Sequence, residues 1–161
     1  MWAVLVVSHT GQLMEQTALT GSRIGARFAS GYARTLLHVV SIPAVIAMAV
    51  IVFLLALWRG SRRRALWAAG TIAATNASAQ LLKHTLLWRP DFGLSQRWDA
   101  ANTLPSGHTA VAASTAVALV LVVGARWRSL TAWVGALLAA AMGYSTLVCQ
   151  WHRPGDVMAA L

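Results

Sequence analysis

Thr103-Leu104-Pro105-Ser106-Gly107-His108-Thr109-Ala110-Val111-Ala112-Ala113 begins as the end of a polar loop and finishes as the start of a long apolar run. A polar stretch at the beginning of an apolar helix offers unpaired backbone N–H groups and the positive end of the helix dipole. That is an anion site before any side chain is added. Ser106 adds a hydroxyl donor, and Gly107 lets an anion come close to the backbone. His108 titrates near neutral pH and can donate a proton. The same residues also fit an ordinary helix cap with an interfacial histidine, so the stretch has to be read with its neighbours.

Outward from it, the chain is oily. Of 161 residues, 58% are hydrophobic and 11% charged, and the mean hydropathy is +0.61. A water-soluble domain of this size rarely carries so little charge. The expected fold class is all-α, one transmembrane helical bundle covering residues 1–161 as a single domain. Complete spans are expected at about 36–58, 65–82, 105–123 and 129–148, with partial helices at 1–7 and 154–161. Pro43 is tolerated inside the first of these spans. Residues 1–7 are apolar but too short to cross, and they lack the basic flank of a signal peptide. The last helix is cut off soon after Asp156, so the chain reads as a fragment. Residues 8–34, with four glycines and an amphipathic stretch at 16–28, are expected to lie as a loop on the membrane surface. The lone Cys149 has no internal disulfide partner.

The net charge of +9 does not call for nucleic acid. Arginines beside apolar runs orient a membrane protein and meet anionic headgroups, which makes membrane lipids the partner. If each span crosses once, the short turns at 59–64 and 126–128 share one side and hold six arginines. That density marks the cytoplasmic side. The opposite side holds seven basic residues spread over longer segments, including Arg97 in the 83–104 loop, and all four acidic ones: Glu15, Asp91, Asp99 and Asp156. Trp58, Trp88, Trp98, Trp127 and Trp151 fall near span ends, where an aromatic belt sits. Asn76 and Gln80, four apart in the second span, share one face and suit interhelical hydrogen bonds.

Two further polar islands fall on the side of Ser106 and His108. Lys83 and Arg89-Pro90 follow the second span; they are either snorkelling flank residues or cations for a phosphoryl group, with arginine offering the bidentate fork. His152-Arg153-Pro154-Gly155-Asp156 is the third island. Pro154 suits the first turn of a helix, and the spacing of four puts Asp156 within reach of His152. A carboxylate on one ring nitrogen fixes the tautomer and makes the other a better nucleophile or base. A metal set of His108, His152 and Asp156 lacks the ligand spacing of common zinc motifs and has Lys and Arg beside it.

Taken in order, Lys83…Arg89-Pro90, Pro105-Ser106-Gly107-His108 and His152-x-x-x-Asp156 resemble the type-2 phosphatidic acid phosphatase superfamily over residues 36–161. The resemblance implies a six-span bundle and hydrolysis of a lipid phosphate or pyrophosphate at the outer face of the cell membrane, with neither cofactor nor metal. It implies phosphate binding by Lys83, Arg89, Ser106 and Gly107. His152 is the implied nucleophile, forming a phosphohistidine, with Asp156 orienting it and His108 protonating the leaving oxygen. Two departures stand out. Five residues separate Lys83 from Arg89, one fewer than usual, and Ser145-Thr146 stands where the family has Ser-Arg, a phosphate-binding arginine. An inert protein that binds lipid phosphate headgroups is the alternative; a transporter built on Asn76 and Gln80 is a third reading.

Overall fold

The computed structural model describes residues 1–22, 26–39, 42–58, 61–94 and 102–161. Expectations placed on Arg23, Arg59, Gly60, Arg97, Trp98 and Asp99, and on the Pro43 side chain, lie outside the described residues. Among those described there is no strand. The helices are α1 (Trp2–Leu5), α2 (His9–Gly21), α3 (Ala26–Val39), α4 (Ile42–Trp58), α5 (Arg62–Leu81), α6 (Gly107–Val122), α7 (Ala125–Val148) and α8 (Pro154–Met158). The protein is an all-α bundle.

Chain neighbours pair along its length. α4 packs on α5, α5 on α6, and α6 on α7, while α3 lies against α7. Directions follow from the contacts. Asn76 on α5 donates to Ser114 on α6 at 3.3 Å, the interhelical bond expected of it. Farther from the α5–α6 connection, Ile72, Ala68 and Ala65 share a buried cluster with Ala118 and Val122 of α6 and with Val52 and Ala56 of α4. The two helices are therefore antiparallel. α6 and α7 are antiparallel too, and so close that a Cβ on Gly135 would stand 2.6 Å from that of Ala116. Small residues set such separations where lipid offers no hydrophobic driving force. The buried cluster thus marks one end of the bundle, the end that also carries Arg62 to Arg64 and Arg126 to Arg128. The beginnings of α6 and α8 mark the other.

α7 is the one helix among the described residues long and apolar enough to cross a membrane. Ile46, Val50 and Leu54 on α4, and Leu130, Val134 and Leu137 on α7, face outward. Exposed apolar faces of this kind mark contact surfaces, and with α7 they point to association with a membrane.

Residues 8–34 differ from expectation. Most of the expected surface loop is helix, as α2 and α3. Ser8 caps α2, accepting from Gly11 N at 3.0 Å, a bond that contributes about 1 kcal/mol. Gly11, Gln12, Glu15 and Leu19 form one buried stripe, and α2 packs on α8. Tertiary contact overrides the weak local propensity of a glycine-bearing segment. The expected loop at 83–104 also begins later than predicted. α5 runs on into a π turn at Leu82–Leu86, where Leu87 N reaches Leu82 O at 2.9 Å. Wider turns of this kind often sit beside functional sites, and this one carries Lys83.

Candidate active site

Asp156 is the hub. Its Oδ2 accepts from three donors: Thr103 Oγ1 at 2.6 Å, the Arg153 amide at 2.9 Å, and His152 Nδ1 at 3.3 Å when that nitrogen is protonated. Asp156 is 1% exposed and His152 8%. Pro154 opens α8 at its first position and Asp156 follows in the first turn, where the dipole favours an acid. The same turn is sewn to the start of α6, because Ser106 N donates to Asp156 O at 2.9 Å. Two islands fifty residues apart in sequence thus become one piece of backbone.

Ser106 is the N-cap of α6 and fully buried. Its Oγ accepts from Thr109 N at 3.4 Å and from Thr109 Oγ1 at 3.0 Å. The Gly107 and His108 amides precede the first intrahelical bond and remain available to an anion. Gly107 itself is in open space, since a Cβ there would meet nothing nearer than Gln80 Nε2 at 4.0 Å. His108, half-buried, rests its ring against Trp151 at 5.6 Å between centroids. It lies within charge range of both His152 and Lys83.

Arg89 is held by α2. Its Nη2 donates to Gln12 Oε1 at 2.9 Å, and its Nη1 lies 3.7 Å from Glu15 Oε2. Gln12 Nε2 in turn donates to Val6 O at 2.7 Å and Pro90 O at 2.8 Å, fixing the Arg89-Pro90 backbone as well. The other carboxylate oxygen, Glu15 Oε1, accepts from Gly155 N at 2.9 Å. Glycine lets that contact form: a Cβ there would stand 2.1 Å from Glu15 Oε1 and would displace the carboxylate. Arg153, also buried, brings a second guanidinium, with Nη1 donating to Thr103 Oγ1 at 3.0 Å.

Each of the seven candidate site residues therefore falls at this end of the bundle. Lys83 and Arg89 come from the segment after α5, Ser106, Gly107 and His108 from the start of α6, and His152 and Asp156 from the α7–α8 connection. Four residues of the site were missed. Thr103 sits in a loop and carries no pattern. Asn102 ties Lys83 O, Leu87 O and Leu104 O to one amide, equally unannounced. Gln12 and Glu15 had a signal, since Glu15 is the one acidic residue before Asp91 and Gln12 lies three before it. Thr146, in the place of the family's arginine, is fully buried and gives its hydroxyl to Gly143 O at 2.7 Å.

Charges are crowded here. Burial lowers the Lys83 pKa, and Asp156 opposes the shift. Burial lowers that of Arg89 too, with Arg153 adding to it. The Glu15 carboxyl is pushed above its ordinary 4.5 by burial and then by Asp156, while the Gly155 amide, Arg89 and Arg153 pull it down. An acid with a raised folded pKa binds its proton more tightly folded than unfolded, so its ionisation subtracts from stability. The subtraction is absent below pH 4.5 and grows as pH rises through the folded value. Glu15→Gln is therefore expected to match or exceed the parent's thermal midpoint at neutral pH, the gap closing toward pH 4.5. A midpoint clearly below the parent's at neutral pH would contradict this.

Such an end, with a buried histidine–carboxylate pair, cations and an open helix start, is equipped to move a phosphoryl group. A family model described as the PAP2 superfamily matches residues 64–161, and the chain belongs to that superfamily. No curated protein and no solved structure matches the chain.

Proposed function

We propose that the chain is a metal-independent phosphatase of lipid phosphate or pyrophosphate monoesters, working through a phosphohistidine at the extracytoplasmic face of the cell membrane. The observation that carries this is the buried His152 Nδ1–Asp156 Oδ2 contact at 3.3 Å, next to the open start of α6. With Nδ1–H committed to Asp156, the Nε2 lone pair is free to attack. The N–P bond forms as the P–O bond to the lipid breaks, and His108 gives its proton to the departing oxygen. Water then attacks phosphorus and passes a proton to His108. The N–P bond breaks, inorganic phosphate leaves, and His152 is restored. Lys83, Arg89, Ser106 and the Gly107 amide hold the phosphoryl oxygens. The bundle crosses the bilayer at about 36–58, 65–82, 105–123 and 129–148, with the arginine-rich end in the cytoplasm.

Phosphate release from a panel of lipid monophosphates and pyrophosphates, in detergent with EDTA present, tests the reading. Turnover is expected at undiminished rate with the chelator, and the ranking names the lipid class. Loss of turnover on chelation would overturn the mechanism. The alternative, an inert binder of lipid phosphate headgroups, is favoured by Arg89 already facing a carboxylate and by Thr146 spending its hydroxyl inside α7. It predicts stoichiometric binding without release.

A further inference from the structure

We propose that Glu15 is a positioning residue of the phosphoryl-transfer site, so that α2, which lies outside the stretch matched by the family, belongs to the catalytic apparatus. The proposal rests on the reading given above and deepens it. Glu15 is 3% exposed and touches two of the three islands at once. Oε1 holds the Gly155 amide at 2.9 Å, one residue before Asp156. Oε2 faces Arg89 Nη1 at 3.7 Å and has no hydrogen bond of its own. Gln12, one turn earlier on the same stripe, takes the other guanidinium nitrogen.

Two explanations compete for so buried an acid. If α2 only had to be held in place, apolar packing against α8 would serve better, because a desolvated carboxylate costs more than it returns. Burial and then Asp156 raise its pKa while the Gly155 amide, Arg89 and Arg153 lower it, so holding the ionised carboxylate here subtracts from stability. What it supplies is direction. A guanidinium gripped by Gln12 and Glu15 presents its remaining N–H groups along one line, and the tie to Gly155 sets that line relative to His152 and Asp156. Partners that orient metal ligands are commonly worth ten- to a hundredfold, and a partner that orients a phosphate-binding guanidinium is expected to act on the same scale.

Four full-length proteins test this: the parent, Glu15→Gln, Arg89→Gln and the double variant. Glutamine keeps the shape and an acceptor for Gly155 but removes the charge. Glu15→Gln is expected to lower kcat/KM about tenfold with a thermal midpoint no lower than the parent's. Added to Arg89→Gln, it is expected to change kcat/KM less than about twofold, because its partner is already gone. Equal factors in both backgrounds would show that Glu15 merely supports α2, and unchanged or higher activity in Glu15→Gln would overturn the proposal outright. Should Glu15→Gln fail to fold, Glu15→Asp takes its place. Affinity for inorganic phosphate, measured on the same proteins, is expected to show the same non-additivity. A parent that binds phosphate with this pattern but hydrolyses no lipid would leave the positioning intact and remove the phosphatase reading. Turnover with independent effects would do the reverse, and neither turnover nor phosphate binding would overturn both.

Discussion

Replacing His152 with alanine is expected to lower phosphate release by at least about a thousandfold, because it removes the proposed nucleophile. The ring is buried and its Nδ1 is engaged by Asp156, which leaves Nε2 as the atom proposed to attack. The His108 ring, among the described residues, rests against Trp151 and has no carboxylate partner of the kind that Asp156 gives His152. Water could attack phosphorus directly in the variant, with Lys83 and Arg89 still holding the phosphoryl oxygens, so a residual rate should survive. The covalent adduct gives an independent readout. A substrate labelled in its phosphate should leave alkali-stable, acid-labile label on the parent and none on His152→Ala. Release by the variant at the parent's rate would remove His152 from the mechanism.

Asp156→Asn should cost about a hundredfold to a thousandfold in kcat, less than loss of the nucleophile. Whether an asparagine reverses the histidine tautomer depends on which of its atoms faces the ring. Here the position of Oδ2 is met by the Thr103 hydroxyl, the Arg153 amide and His152 Nδ1. The amide N–H can only donate, so an NH2 group placed there would confront it. The asparagine oxygen is held in that position, and the tautomer is kept. What disappears is the negative charge that stabilises His152 as it bonds to phosphorus. Asp156→Ala is expected to do more harm, because it leaves three donors without their acceptor at about 1–3 kcal/mol apiece. A thermal midpoint near the parent's for the asparagine variant and well below it for alanine would confirm the distinction. Activity equal to the parent in Asp156→Asn would sink the dyad.

The family and its three islands were legible because polar residues stand out in so apolar a chain, and because helix alternation puts them on one side. Lys83, His108, His152 and Asp156 needed no more than that. The helical class followed from run lengths. The contribution of α2 was not legible. Its four buried positions are a glycine, a glutamine, a glutamate and a leucine, and a stripe half polar does not read as a core face. It becomes one only because Arg89 and the Gly155 amide wait on the other side, and no local pattern announces a partner so distant in sequence. Thr103 was invisible for the same reason. Arg153 could be noticed beside His152, but its direction depended on a loop hydroxyl fifty residues away.

Glu15 and Gly155 stand 140 positions apart along the chain, which bears on the order in which the protein comes into being. α5, α6 and α7 each pair with the helix made just before, and can settle as the ribosome advances. The site cannot. At about 5–20 residues per second, α2 is finished roughly ten seconds before the turn it must grip exists. Nascent chains arrested ahead of residue 152 are expected to carry α1 through α7 and yet to lack the parent's phosphate release, which waits for residues 152–156.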